Sequence, residues 1–452
     1  MTSYICKILS FLIVVCAQSF AYTQGTWERV SIPTNQFLKS VCFVDSLYGW
    51  VAGDSGTMLH TTDGGATWVH QDTHADNEVV DVFFLNRNLG WASSFKYAAT
   101  PYGTVLLKTT DGGASWQSQT YPTENIFITC ILFLDSLNGW MGGKPHALVK
   151  TTNGGVTWTQ AAIDTSTLAF FPVLGIQFYD GQHGYAYGGI FDIAGVIWHT
   201  SNGGDMWYAI DPAEAPADEV HGLHIFDSLH AMGAGGDPDF GYGVGMIRTS
   251  NGGLSWNYDE LDIQGYASDL DFRDATEAWA PLGTKRKLIY SLDAGLTWSS
   301  VPTPDSTVIY DMTFPDSNHG FAVGKNGAFI KYLPPVLPSV TTVSSKPDDF
   351  FVYQNYPNPF TTATKIKYFV PSTGKYSTLL SQIPDGFFEI KIYSFLGQET
   401  TTIKNIDISP GEHELEFKAE NLPGGIYLYQ LQLISAGKTI QLAPPKKFSI
   451  LK

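Results

Sequence analysis

The sequence predicts an all-β protein, a seven-bladed β-propeller followed by a small β-sandwich, on three observations. A block of eight residues ending in Trp recurs six times, an apolar anchor with Asp or Asn two residues later recurs seven times, and both return every 41 to 49 residues. A period of that length, with four strand-like segments and a Gly-rich hairpin in each unit, is the signature of a propeller blade. The composition agrees: 45 Gly, 12 Trp, 14% aromatic and 15% charged residues in 452 describe short strands, many turns and enough apolar surface to offset the entropy of ordering.

The chain opens with Lys7, an apolar run over residues 8–17, and small residues Ser19 and Ala21. That pattern predicts a secretory signal over residues 1–21, cleaved after Ala21. The run is shorter than the roughly 20 apolar residues of a permanent span, and the bulky Val15 argues against a lipoprotein signal through Cys16. After cleavage Cys42 and Cys130 remain. The repeat puts them on non-neighbouring units, so two buried free thiols are expected rather than a disulfide, with no metal site.

The seven anchors are Phe43, Phe84, Phe133, Phe178, Ile225, Phe272 and Phe314, followed at +2 by Asp45, Asn86, Asp135, Asp180, Asp227, Asp274 and Asp316. At +7 stand Trp50, Trp91, Trp140, Tyr185, Met232, Trp279 and Phe321. Position −2 is always Val, Ile, Leu or Met while −1 and −3 are mixed, the period-two pattern of a strand. Each unit therefore reads as four antiparallel strands. The seventh unit lacks its box, and Thr26-Trp27 is a box ending with nothing before it. Residues 26–32 are thus expected to supply the outer strand of the last blade, closing a propeller over 26–332 without an open edge.

Each box can be read as folding chemistry. Asp63, Asp111, Asn153, Asn202, Asn251 and Asp293 can accept N–H bonds inside their turns, and the following glycines permit positive φ. Trp68, Trp116, Trp158, Trp207, Trp256 and Trp298 are expected to pack between blades. Each Asp or Asn lies at the tip of a separate blade and cannot converge on one ligand. The same structural reading is given to Asp81, Asp269 and Asp311, three residues before their anchors.

Function is less legible. With 26 Lys plus Arg against 43 Asp plus Glu, a net charge of −17 excludes nucleic acid, whose binding needs clustered cations. Boxes should share one face of the ring, and the second-to-third-strand loops the other. There the loops at 93–102, 188–195 and 235–245 carry the candidate ligand-binding residues Phe95, Tyr97, Tyr102, Phe191, Asp192, Asp237, Asp239, Phe240 and Tyr242. Acidic connections beside them hold Asp72, Asp76, Glu78, Asp211, Glu214, Asp218, Glu219 and His221. Aromatics with carboxylates suit a sugar or a basic protein patch. The stretch from Asp237 lacks the spaced third ligand and distal Glu of a Ca²⁺ loop. No phosphate loop, zinc-helix motif or nucleophile elbow occurs, so no catalytic residue, cofactor or metal is expected.

The box is identified as an Asp-box, or BNR repeat, shared by sialidases, sortilin-like receptors, xyloglucanases and photosystem II assembly factors. Its pairing with Phe-x-Asp-Ser-x-x-Gly-Trp resembles the photosystem II stability and assembly factor propellers over about residues 26–332. The resemblance implies the propeller fold. Those factors are chaperone-like binders thought to use a basic surface, whereas this chain has five arginines. Sialidases, which cluster three arginines, resemble it in the boxes alone.

Residues 333–350 form a Pro, Ser, Thr and Val linker, a composition suited to an extended tether. Beyond it stand Asn355-Tyr356-Pro357-Asn358-Pro359-Phe360, Ile390 to Gly397, Leu422 to Tyr427, and a final Lys447 to Lys452. Alternating strands and Gly-rich turns read as a small sandwich. In this order the motifs resemble the type A sorting domain of the Bacteroidetes type IX secretion system over residues 351–452, which implies recognition at the outer membrane, then release or attachment to surface lipopolysaccharide. The reading is a secreted or cell-surface, non-catalytic binding or adhesion propeller. The alternatives are a secreted glycan-acting hydrolase or lyase, and an assembly-factor-like chaperone. The expected partners are the type IX machinery through 351–452 and a glycan or surface protein on the propeller. A monomer with no transmembrane segment is expected, extracellular or attached to the outer-membrane surface.

Overall fold

The computed structural model describes residues 24–98, 100–237, 242–335 and 350–371, and in the C-terminal region 387–394, 399–404, 406–407, 409–419, 422–435, 438–441 and 445–450. The signal segment 1–21 and most of the linker lie outside the described residues. The chain divides into two compact units, residues 1–336 and 337–452.

In the first unit, residues 26–333 form seven sheets. The first holds Leu38–Phe43, Gly49–Gly53, Met58–Thr61 and Val69–His70 as consecutive antiparallel strands. The next five repeat that order, with first strands at Val79–Phe84, Phe127–Phe133, Val173–Phe178, Val220–Ile225 and Asp271–Phe272. The seventh holds Ile309–Asp316, His319–Gly324 and Ala328–Leu333, and its fourth strand is Thr26–Arg29, with Trp27 opposite Tyr332. First strands neighbour one another in chain order and the seventh returns to the first: the sheets form a ring. One sheet departs from four strands. Ala162–Ile163, in the long connection after the third sheet, adds a parallel fifth strand beside Met206–Ala209, and the buried Trp198 indole donates to Ala169 O of that connection.

An aromatic triplet joins adjacent sheets at three of the seven junctions. There the +7 ring of one unit lies flat on the anchor of the next, and that anchor meets its own box Trp edge-on. At a fourth Trp140 is tilted on Phe178, and where Ile225 or Met232 stands the pair is not one of rings. Trp50 stacks on Phe84 at 3.5 Å, with Trp116 perpendicular to Phe84 at 5.8 Å. Trp91, Phe133 and Trp158 repeat the set. At the closure Phe321 stacks on Phe43 at 3.6 Å, and Trp27 stands edge-on to Phe314 as that unit's missing box Trp. The indole N–H of Trp50 also donates to Gly112 O in the next box, at 3.1 Å.

The first strands line the axis. In six of the seven a β-bulge shifts the register between positions −5 and −3 from the anchor. Positions −5, −2 and 0 are packed between sheets, as Leu38, Val41 and Phe43 are, so the bulge breaks the period of two and turns −4 and −3 toward the axis. Position −3 then ties one unit to the next. Asp81 accepts Ile131 N–H at 2.7 Å, Asp269 accepts Met312 N–H at 2.9 Å, and Asp311 accepts Val41 N–H at 2.7 Å. Ser40 accepts Val82 N–H in the same way, and Asp271, at −1, accepts Phe314 N–H. Cys42 and Cys130 are free, as expected, but half-buried rather than buried, because −1 and −3 face the axis.

The second unit has two antiparallel sheets around one core that includes Phe360, Ile366, Phe388, Ile390, Tyr429 and Phe448. One sheet pairs Phe351–Val352 and Gly411–Lys418 with Ala363–Val370. The other centres on Phe387–Ser394 and Gly425–Ser435. The entry motif latches it shut. Asn355 is buried and donates to Thr364 Oγ1 and Pro357 O, while Asn358 accepts Ser449 N–H of the last strand. Tyr356 alone of the motif's aromatics stands exposed, at 80%.

Burial pushes the carboxyls of Asp81 and Asp269 up to about 6 and that of Asp271 up to about 7. A carboxyl raised in the folded state holds a proton that the unfolded chain has already released, so its contribution is lost as pH rises from about 4 toward 7. Each carboxyl therefore favours pH 5 over pH 8 by on the order of 1–2 kcal/mol, against His60, His146, His199 and His224, whose charged forms burial disfavours and which favour the higher pH. Asp271→Asn, which keeps an acceptor for Phe314 N–H, should remove one carboxyl's share, so that its melting midpoint relative to the parent rises from pH 5 to pH 8. Calorimetric melting of parent and variant across that range checks this, and the same pH dependence in both would contradict it.

Candidate functional site

The two faces of the ring have different chemistry. Each box turn is stitched to the first hairpin of its own unit, Gly64 N–H to Leu47 O and Gly154 N–H to Leu137 O, so boxes and first hairpins share one face. Within a box the side chains are consumed. Asp63 Oδ1 accepts Thr67 N–H and the Thr61 hydroxyl, its Oδ2 accepts the Thr67 hydroxyl at 2.6 Å, and Thr61 Oγ1 accepts Gly65 N–H. Gly64 and Gly65 are both at positive φ, +68° and +80°. Asp111 and Asp293 repeat the pattern in full. Asn153, Asn202 and Asn251 keep the backbone part of it. The Thr67 hydroxyl and N–H hold the Asp63 carboxyl down at about 2. Asp45 and its equivalents also look inward, accepting N–H groups two and three residues on.

The opposite face carries the loop residues singled out above, in two groups. Phe95 and Tyr97 meet edge-on at 5.8 Å, Tyr97 lies on Phe127, and the Tyr97 hydroxyl donates to Glu78 Oε1 at 3.1 Å. Phe191 packs with His221 and Tyr266. Beside it, oxygens of Asp192, Asp218 and Asp237 lie within 4.8 Å of one another, and Asp218 Oδ1 accepts Asp192 N–H. Burial, then the neighbouring carboxylates, raise Asp218. This trio is where a cation could be held or two carboxyls could share a proton. Tyr102 and Tyr242 are exposed and joined to neither group by any ring contact among the described residues; Asp239 and Phe240 lie outside them.

Between the groups opens the axial channel, a cavity of about 550 Å³. Its wall includes Phe37, Lys39, Tyr187, His221, Tyr266 and Tyr310, with Asp81, Asp269 and Asp311 among them. Lys39 pairs with Glu78 and Asp54, and His221 with Glu219. Apart from His221 and the three aspartates, these positions escaped the sequence reading. Lys39, His221 and Tyr310 all stand at −4, which alternation assigns to the packed side and the bulge does not.

Residues 20–121 and 114–218 match the model of "Photosynthesis system II assembly factor YCF48", and residues 354–442 match "Secretion system C-terminal sorting domain". The chain carries an assembly-factor-type propeller and a C-terminal sorting domain. The photosystem II assembly lipoprotein Ycf48 of a Picosynechococcus species is 31% identical over 61 residues, 13% of this chain and only 18% of that protein's length. Among solved structures, YCF48 from Cyanidioschyzon merolae covers 68% of this chain and 98% of its own at TM-score 0.54 and 21% identity. The Niastella koreensis GH74 enzyme covers 92% and 74% at TM-score 0.54 and 13% identity. At such identities the likeness is one of fold. The sorting domain indicates export by type IX secretion, and no helix among the described residues is long and apolar enough to cross a membrane.

Because the box carboxylates are fully engaged in their own turns, Asp293→Ala should lower the melting midpoint by a few degrees while leaving any ligand affinity unchanged. Melting curves alongside binding isotherms check this. A loss of affinity with an unchanged midpoint would make the box part of a binding site.

Proposed function

We propose that the protein is an exported, non-catalytic binding or adhesion module, delivered by its sorting domain to the cell surface or the medium, and that it binds through the loop face around the axial channel. One observation carries this reading. Carboxylates in the boxes, first hairpins and inter-sheet bridges are committed to backbone N–H groups, whereas on the loop face the exposed Tyr97, Phe191, Tyr102 and Tyr242 stand with the Asp192, Asp218 and Asp237 trio. Exposed aromatics beside carboxylates suit the apolar faces and hydroxyls of a glycan, or a basic patch on a surface protein. The boundaries of the signal, propeller and sorting domain at 1–21, 26–332 and 351–452 belong to this proposal, as does a monomeric state.

A hydrolase or lyase acting on glycans is the second reading, favoured by the Asp192, Asp218 and Asp237 trio. A raised carboxyl beside further carboxyls is what a general acid needs.

Saturable retention on a glycan array with no release of reducing ends is the expected result for the full chain. Measurable release that disappears in Asp218→Asn would replace the first reading with the second. Alanine at Tyr97 and Tyr242 together should weaken retention by about tenfold, the worth of one lost stacking contact. Deleting residues 351–452 should leave the propeller inside the cell envelope, and its continued appearance at the surface would remove the sorting domain from the account.

A further inference from the structure

We infer that the axial channel is itself a pocket for a neutral polyhydroxylated ligand, a sugar ring or the end of a glycan, recognised by the hydroxyls of Tyr187, Tyr266 and Tyr310 and the amide of Gln177. This deepens the binding-module reading and rests on it.

The cavity of about 550 Å³ falls within the ~300–1,000 Å³ of small-molecule pockets. Its polar wall is unusual in what it leaves unused. Tyr187 is only 9% exposed, lines the cavity, and its hydroxyl has no hydrogen-bond partner among the described residues. That hydroxyl reaches the open cavity, where a ligand or water can bond to it. The hydroxyls of Tyr266 and Tyr310 and the Gln177 amide line the same space equally unpartnered.

Two features of the fourth unit, a phenol that no other unit has and a glycine shared with the fifth alone, create this arrangement. Tyr187 stands at +9 from its anchor, where the other units have Ala52, Ser93, Gly142, Ala234, Pro281 and Val323. Its ring reaches the axis over Gly175, where a Cβ would lie 2.1 Å from the Tyr187 ring carbon bearing the hydroxyl. Gly175 occupies the −3 position that bears Asp81, Asp269 or Asp311 in other units. Ring closure needs neither feature, since six units manage without a phenol there.

The ligand class follows from what is already occupied. The three carboxyls accept backbone N–H groups and Lys39 is paired with carboxylates, so the wall offers both signs of charge and leaves neither dominant. Lys144 also lines the wall, without an ion pair among the described residues, and Lys39 and Lys325 lie over the Phe37 and Tyr310 rings. Beside these cations what remains open is hydroxyl and amide hydrogen bonding, which suits a sugar's hydroxyls.

Calorimetric titration of the full chain with a panel of neutral mono- and disaccharides, with spermidine and citrate as cationic and anionic probes, tests this. A saccharide should bind, and Tyr187→Phe and Gln177→Ala should each weaken it by about tenfold with unchanged melting, because neither group has a hydrogen-bond partner among the described residues. Equal affinity in parent and both variants would place the ligand outside the channel and leave the loop-face reading standing. Binding of no saccharide, together with an empty glycan array, would overturn both. Tighter binding of spermidine or citrate that Tyr187→Phe weakens would overturn the ligand class.

Discussion

The structure depends on one apolar contact repeated around a ring: the +7 side chain of one sheet against the anchor of the next, a flat ring–ring stack at three of the junctions, with an indole meeting the anchor edge-on. A four-stranded sheet of this size exposes too much apolar surface to stand alone, and the triplet of Trp50, Phe84 and Trp116 shows how that surface is covered. Each unit supplies one large apolar side chain to its successor and receives one from its predecessor, a ring from every unit but the fifth, which gives Met232. Such a chain of debts can be settled only by closure, and the closing members are Phe321 on Phe43 and Trp27 against Phe314. The N-terminal strand is therefore more than an edge cover. It brings the indole that the seventh unit's own sequence lacks.

That contact is also why so much of the fold could be read in advance. Aromatic triplets demand particular residue types at fixed offsets, so the anchor, the +7 ring and the box tryptophan stand out against a variable background. The strand Thr26–Arg29 was legible for the same reason, through Trp27. What escaped was geometry without a residue signature. The bulge at −4 needs no special side chain, as Lys39, Val80, Thr129, Leu174, His221 and Tyr310 occupying it illustrate. Strict alternation consequently hid half of the channel wall. Trp198 was the one tryptophan outside the pattern, and its hydrogen bond to Ala169 O explains it locally, as the anchor of the connection carrying the fifth strand.

The candidate site was legible only in part because it lies on loops, where no period constrains the residues. Phe95, Tyr97, Phe191 and Asp192 do gather around the channel mouth, yet their partners Phe127, Tyr266 and Glu78 come from the starts of first strands and the connections before them. A linear reading sees the loops and the strands as separate features. The bulge joins them, by turning the mouth-proximal residues of each first strand inward beneath the loops.

The acidity of the chain can now be divided by position. Carboxylates in boxes and first hairpins accept N–H groups of their own turns and are exposed to water, so they remain ionised at little cost. Those at −3 and −1 accept N–H groups of the next sheet while half-buried along the channel, so the same bond comes with a raised proton affinity. A backbone amide left unpaired at the bulge would cost more than a protonated aspartate, which accounts for acids recurring where the register slips. The fourth and fifth units have Gly175 and Gly222 at that position instead. They give up the bridge, and in the fourth the space goes to a phenol with no structural bond to make. A ring built from a strict repeat had no need of that exchange, and it lies where the loops converge.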